Sequence, residues 1–397
     1  MTSCVKKVLY ITGPGNIIAA HNYWRKGEEF PEQFSKTFSG QIESFCKINN
    51  LQLYAISHNN EANIIRDGDF KLQHLPKRFN MRTGIGFHIS ELLHAVRLLV
   101  KSIKHKPHLL IVDNFNSYQF IFYILNKLFN TQIISILHCT LWPKGNKPRK
   151  KIHKILLKFN SLFYKNIVDT TLAVSPECER QVYELTKNRN LLVRQIRAQY
   201  NIKYFIASNC KPKHDDVFFN IIFVGRIVKH KGVFDILLMA KSLLSKKIDK
   251  VKWHICGDGP DFQELSIRIK SYGLEDVITL YGWTSPSKQL DLYQKMHASI
   301  VPTKSSFAEG LAMVAVESVL CHRPVITNKV VPAAEVLEEA VILAKTDDID
   351  SYVEKITSLV LDKEYYMKKV FGCENSAEQF IDKKFGLTEV LSDCLEQ

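Results

Sequence analysis

The sequence has no apolar run near the roughly 18 residues that a membrane-crossing helix needs. The closest, FIFYILNKLF, is cut by Asn126 and Lys127. It has no C-x-x-C pair either. Nine cysteines lie scattered along 397 residues, so the expectation is reduced thiols in a cytosolic protein, not a zinc site or a disulfide framework. MTSCVKKVLYITG enters a strand-like segment at once, and no signal peptide is expected. Neither a repeat of solenoid period nor a low-complexity tract is present. Negative charge is scarce in one half only: residues 1–200 carry 29 Lys and Arg against 13 Asp and Glu, residues 201–397 carry 25 against 27. The excess positive charge therefore sits in the first half and points to a polyanionic partner there: an anionic membrane, a lipid diphosphate or a nucleic acid. No recognition-helix or RNA-binding signature accompanies it, so nucleic acid is not the expected partner.

What the sequence does contain is an alternation of apolar strands and amphipathic helices. KKVLYIT, LQLYAIS (51–57), HLLIVDN (108–114) and TQIISILH (131–138) read as buried strands, with ISELLHAVRLLVKSIKHK a helix between the second and third. This spacing predicts βαβ units, a parallel sheet and an α/β fold. Ligands bind such sheets beyond the carboxyl ends of the strands. Gly13 and Gly15, after the first strand, and His138, after the fourth, are candidate site residues on that ground. Gly13-Pro14-Gly15 is not a full dinucleotide fingerprint, because Ile18 stands where the third glycine belongs.

From Trp142 to Val168 the chain is basic without a single acid: Lys144, Lys147, Arg149, Lys150, Lys151, Lys154, Lys158 and Lys165 make up the run. Ile152, Ile155, Leu156, Phe159, Leu162, Phe163 and Ile167 recur at helical spacing. The pattern predicts an amphipathic helix whose stripe packs on its own sheet while its basic face meets anionic lipid. A polar stretch from Ser208 to His214 reads as the linker between a first domain, residues 1–205, and a second, residues 206–375.

The second half opens on the strand NIIFVG, ending at Gly225, with Arg226 and Lys231 in the loop before a helix near Gly232. Two cations at the carboxyl end of a strand suit a diphosphate. VKWHICGDGP closes in a turn bearing Gly257 and Gly259. The richest stretch is Pro302–Asn328, PTKSSFAEGLAMVAVESVLCHRPVITN. AMVAVESVL reads as a helix. Glu309 would stand just before its N-terminus and Glu317 about two turns inside, with Gly310 at the turn. The N–H groups of Leu311, Ala312 and Met313 would lack helical partners and offer a seat for a diphosphate.

Pro302, Glu309, Gly310, Val314, Glu317, Cys321, Pro324, Val325 and Ile326 resemble the E-x7-E segment of the family 4 glycosyltransferases, and FVGRIVKHKG resembles their F-V-G-R-L-x-x-x-K-G segment. Ala312 and His322 depart from the pattern, each replacing a glycine. The resemblance is strong from about residue 219 to 328 and general elsewhere. It implies a GT-B architecture of two Rossmann-like domains across a cleft, the last helix (about 376–397) packing back on the first. It implies transfer of a sugar from a nucleotide diphosphate sugar, UDP- or GDP-linked, to a hydroxyl with retained configuration and no cofactor or metal. Arg226 and Lys231 would hold the diphosphate, Glu317 the ribose and Glu309 the sugar hydroxyls. Gly13, Gly15, Gly225, Gly257 and Gly259 would line the donor, and His138 would meet the donor sugar or acceptor. Whether Glu309 also acts as a nucleophile stays open. With the basic first half, the expected acceptor is a lipid-linked or growing bacterial polysaccharide (lipopolysaccharide, O-antigen or capsule) at the inner face of the plasma membrane. The alternative is a small phosphorylated acceptor in solution. Asp67-Gly68-Asp69 fits an Asp-x-Asp metal site, but IIRDGDFKL reads as a polar turn.

Overall fold

The computed structural model describes residues 6–79, 81, 83–113, 117–188, 191–205, 212 and 214–395. The expected linker lies outside the described residues except at Pro212 and His214. The first sheet comprises β1 (Lys7–Thr12), β2 (Gln52–Ser57), β3 (Asn63–Asp67), β4 (Phe70–His74), β5 (Leu109–Asp113), β6 (Gln132–Leu137), β7 (Thr170–Ala173) and β8 (Val193–Gln195). Their spatial order is β3-β4-β2-β1-β5-β6-β7-β8. Every pairing is parallel except that of β3 with β4. Those two form an edge hairpin that turns at Gly68, φ +55°.

The second sheet comprises β9 (Phe219–Val224), β10 (Val251–Cys256), β11 (Ile278–Gly282), β12 (Ala298–Val301), β13 (Val325–Asn328) and β14 (Val341–Ala344). It is parallel throughout, in the order β11-β10-β9-β12-β13-β14. The near-continuous apolar strands follow from burial on both faces. Val8 and Tyr10 of β1 enter a core shared with helices Ile17–Lys26 and Phe38–Ile48. Leu9 and Ile11 enter one on the other face, under helices Gly84–His105 and Lys151–Asn166.

Strand order reverses between β1 and β5 in the first sheet, and between β9 and β12 in the second. Loops leave such switch points in opposite directions and open a crevice at the carboxyl ends. The chain's end joins the two halves. Helix Leu387–Leu395 lies on helix Phe38–Ile48: the Leu387 N–H donates to Gln41 Oε1 at 3.0 Å, and the Thr388 hydroxyl to the Gln41 carbonyl at 2.9 Å. One apolar core runs through both halves, holding Val174, Cys178 and Tyr200 with Val316, Phe380 and Leu391.

Candidate active site

On the second sheet the loop after β9 is held from below. The Gly225 N–H donates to the Cys256 carbonyl at 3.0 Å and the Ile227 N–H to that of Asp258 at 2.9 Å. A Cβ on Gly257 would stand 1.8 Å from the Gly225 oxygen, and one on Gly259 2.3 Å from the Ile227 oxygen. These glycines let the turn after β10 lie against the backbone that presents Arg226, whose side chain is exposed. Lys231 Nζ lies 2.5 Å from Glu309 Oε2, which the Thr303 hydroxyl also approaches at 3.4 Å. The same ammonium sits 4.6 Å from the centre of the Phe307 ring. Gly232 has φ +76°, and a Cβ there would meet the Pro302 oxygen at 2.0 Å. The lysine loop and the glutamate loop thus touch as bare backbones.

The helix after Glu309 runs from Met313 to Leu320, later than the sequence suggests. Ala312, its N-cap, takes a left-handed conformation (φ 71°, ψ 79°) and provides no side-chain cap, and the first turn carries no acid. The unpartnered donors of this helix therefore start at Met313, not at Leu311. Leu311 spends its carbonyl on the Ala333 N–H, 3.1 Å away. Glu317 is the fifth helical residue, just over one turn in, because the left-handed Ala312 moves the start one residue later than AMVAVESVL suggests. Its carboxyl faces the first half, where the Tyr200 hydroxyl donates to Oε1 at 3.5 Å. Burial pushes Glu317 up to about 7.

The first sheet brings its own groups to the same place. A Cβ on Gly310 would fall 1.9 Å from the His138 carbonyl oxygen, so the loop carrying Glu309 abuts the end of β6. Neighbouring Cys139, exposed at the cleft but partly desolvated by the atoms around it, feels both partners of the ion pair: desolvation first, then Glu309, raise its thiol, and Lys231 opposes them. His138 Nε2 is 3.1 Å from Asp113 Oδ1. The Tyr10 hydroxyl donates to Asp113 Oδ2 at 2.8 Å, and Phe38 meets the His138 ring edge-on, centroids 4.4 Å apart. Tyr10 and Asp113 escaped the sequence reading. The one signal was an acid ending the otherwise apolar strand LLIVD.

Gly13, Gly15, Phe38, His58, Asp113 and His138 line a cavity of about 570 Å³ here. No Lys or Arg is among the described residues of that lining. His58, pushed down to about 4 by burial and then by Lys77, adds no charge at neutral pH. A second cavity of about 350 Å³ shares Ala20, Phe30 and Thr37 with the first and continues past Trp24 to Gln199 and Thr388.

Other candidates lie elsewhere. Lys147 pairs with Glu184 at 2.5 Å and covers the Trp142 ring. Arg149, Lys150, Lys151, Lys154 and Lys158 are exposed on or just before helix Lys151–Asn166. The expected stripe of that helix divides. Leu156 and Phe163 are buried, but Ile152, Ile155, Phe159 and Leu162 face outward. The sheet is covered by only part of the stripe, because Asn160 and Tyr164 take the remaining inward places. Asp67 is engaged by His21 Nε2 at 3.3 Å and Arg25 Nε at 3.4 Å.

Two parallel sheets whose switch points face one cleft, with the chain's end returning to the first, constitute the GT-B fold. Sucrose-phosphate synthase from Thermosynechococcus elongatus superposes with a TM-score of 0.73 at 14% identity, over 98% of both chains. The Anabaena protein HepE, solved in complex with UDP and glucose, does so with 0.66 at 14% identity, over 98% of this chain and 99% of that one. At such identities the likeness is one of fold. Residues 209–370 match the family model of the Glycosyl transferases group 1. An uncharacterized glycosyltransferase of Methanocaldococcus jannaschii is 30% identical over 220 residues, 55% of each chain. The chain spans about half the length of that relative.

Proposed function

We propose that the protein is a retaining, metal-independent glycosyltransferase of the family 4 kind. It moves a sugar from a nucleotide diphosphate sugar to a hydroxyl of a lipid-linked or growing bacterial surface polysaccharide, such as lipopolysaccharide, O-antigen or capsule. One observation carries the reading: the Glu309–Lys231 pair is seated against the end of β6, so diphosphate-holding groups and the Asp113–His138 cavity open on one cleft. The donor diphosphate draws Lys231 and Arg226 and the open helix end at Met313. Lys231 then turns from Glu309 to phosphate, which frees the carboxylate for the sugar hydroxyls. Glu317 accepts from the ribose.

The bond from the anomeric carbon to the β-phosphate oxygen breaks, and its electron pair leaves with the phosphate. The acceptor oxygen bonds to the same face of the carbon and gives its proton to the departing phosphate. Negative charge grows on the leaving group, where preorganised cations and N–H dipoles act most strongly. His138, steadied by Asp113, holds hydroxyls at the junction of donor and acceptor.

The cavity beside His138 suits a neutral glycan end, while Lys36 and Lys383 in the adjoining cavity keep a small phosphorylated acceptor as the alternative. A phosphate needs cations or N–H donors around it, and the described lining beside His138 supplies neither Lys nor Arg. The adjoining cavity beside Trp24 extends the acceptor path beyond one sugar. UDP or GDP is the expected nucleotide, the former supported by the UDP and glucose bound to HepE. Among the described residues no helix is long and apolar enough to cross a membrane, and the place of action proposed is the cytoplasmic membrane surface. The test is thermal shift against UDP, GDP, ADP and their sugar conjugates, followed by nucleotide release with the stabilising donor. Selective stabilisation and release that survives EDTA support the proposal. Release restored only by manganese overturns its metal-independent chemistry.

A further inference from the structure

Helix Gly84–His105 packs inward through Ala95, Leu98 and Leu99 but is otherwise inverted, polar inward and apolar outward. Ser90, Glu91, His94 and Ser102 face the protein and are buried, while Ile85, Ile89, Leu92, Leu93, Val96 and Val100 face outward with exposures from 41% to 78%. These six share one helical face by their spacing. In water the reverse arrangement is the stable one. The inward polar groups are provided for: Glu91 meets Lys77 at 2.5 Å, Ser102 donates to the Leu98 carbonyl at 2.8 Å, and Ser90 donates to the Phe79 carbonyl. His94 is pushed down to about 3, by burial and then by His58, and is neutral. The outward apolar face is therefore part of the design of the helix and needs a partner.

Helix Lys151–Asn166 continues that face. The His88 and His153 rings are 5.7 Å apart and bring the two helices together, and Phe120 stacks on Phe159 at 5.0 Å. Beside the first helix it exposes Ile152, Ile155, Phe159 and Leu162. A joined apolar patch of this kind marks an interaction surface. Its fringe carries one sign of charge. Residues 70–168 contain seventeen Lys and Arg against two acids, Glu91 and Asp113, and both acids are buried. Lys150, Lys151 and Lys154 crowd the start of their helix, where no acid sits in the first turn and the backbone dipole disfavours cations. A neighbouring anion offsets that cost.

We propose that the outer faces of helices Gly84–His105 and Lys151–Asn166 form one docking surface that inserts apolar side chains into an anionic lipid bilayer. This deepens the reading of a membrane-borne acceptor and rests on it. A second copy does not fit the face, because mating it with itself would set one cationic fringe against another. Lipid supplies hydrocarbon for the isoleucines and leucines and phosphate for the lysines at once. The inner side of the same helix reaches the cleft: His94 packs edge-on against His58, 5.6 Å between centroids, and His58 lines the cavity of His138. A bilayer held there would present a lipid-linked hydroxyl at the cleft mouth.

The experiment is flotation of the full chain with phosphatidylcholine vesicles, with and without a quarter phosphatidylglycerol. The protein is expected to float with the anionic vesicles only, and part of that binding to persist in 1 M salt, where screening removes the ionic share. The triple variant Ile89→Ser, Leu93→Ser, Val96→Ser should lower binding at least about tenfold, while nucleotide release from the sugar donor in vesicle-free solution stays at the wild-type rate. Insertion is read directly with Leu93→Trp, whose fluorescence should be quenched by brominated acyl chains; Leu361→Trp, exposed on the second half, should not be. Wild-type protein that ignores anionic vesicles, or an unquenched Trp at 93, overturns the proposal. So does a dimer in sedimentation that Val96→Ser disperses. Absent nucleotide release in a protein that still floats would instead strike the transferase reading and leave the docking surface standing.

Discussion

The two halves of the molecule are built on the same plan, a parallel sheet with its site at a switch point, yet only one of them announces its site in sequence. In the second, the proposed ligand groups come from two continuous loops, Gly225–Lys231 and Thr303–Ala312, and backbone-to-backbone contact fixes the glycines between them. Gly232 must clear the Pro302 oxygen and Gly310 the His138 oxygen. In the first half, Tyr10, Asp113 and His138 arrive from β1, β5 and β6, about a hundred residues apart in sequence for the first pair. Holding a diphosphate demands N–H groups and cations in a nearly fixed geometry. Receiving an acceptor demands whatever that acceptor presents.

The comparison predicts a graded response to mutation, largest where the loops carry the developing charge. Lys231→Met should lower kcat/KM for transfer by about a thousandfold, some 4 kcal/mol, as loss of one preorganised charge-stabilising group does. Glu309→Gln should do about the same. Steady-state kinetics with the donor found by thermal shift would show it. Loss below tenfold at both positions would mean that the second half does not carry the chemistry.

Glu317 stands where the halves meet, and its effect is read with pH. Its folded value is raised from 4.5 to about 7, because ionising the buried carboxyl beside Tyr200 is costly. For a raised value, the associated stability is fully present below pH 4.5 and is lost as pH rises through about 7. The difference reaches up to about 3 kcal/mol above pH 8. Glu317→Gln should flatten this part of the profile: urea unfolding at pH 5 and at pH 8 should differ less in the variant than in the wild type. In the same window donor affinity should rise with pH, since the ionised carboxylate is the better acceptor for ribose hydroxyls.

Asp113 tests the first half. Asp113→Asn leaves the shape of the cavity but weakens the hold on His138, and transfer should fall about a hundredfold with donor hydrolysis changed little. Equal losses in both reactions would place Asp113 with the donor and erase the division of labour between the halves.

How far each half was legible follows from the same physics. Apolar strands, the Arg226–Lys231 loop and the Glu309–Glu317 segment were readable because local spacing encodes them. Asp113 was not, since a carboxylate at the end of LLIVD acquires meaning only when β1 and β6 flank β5. Helix Gly84–His105 was legible as a helix, but its periodicity is satisfied with either face inward. Only the burial of Glu91 and His94 reveals the inversion. The helix start slipped by one residue because a left-handed residue, invisible to helix propensity, sets where the helix begins.

That residue gives the smallest and sharpest of the expected effects. Both departures from the glycosyltransferase pattern, Ala312 and His322, replace a glycine, and both adopt positive φ, 71° and 57°. A left-handed conformation costs a residue with a Cβ about 1 kcal/mol relative to glycine. Ala312→Gly and His322→Gly should therefore each stabilise the fold by about 1 kcal/mol, less the entropy that glycine gains in the unfolded chain. Chemical denaturation resolves a shift of that size, and the two should add, since they sit at opposite ends of one helix. Their effects on turnover should separate. His322 follows the helix on the side away from Glu309 and its substitution should leave transfer unchanged, whereas Ala312 borders the open N–H groups at Met313. If Ala312→Gly raises stability and also broadens the range of donors accepted, the alanine serves to narrow the sugar site at the expense of backbone strain. If it raises stability alone, the strain has no part in choosing the donor, and the second half is less specialised than its departures from the pattern imply.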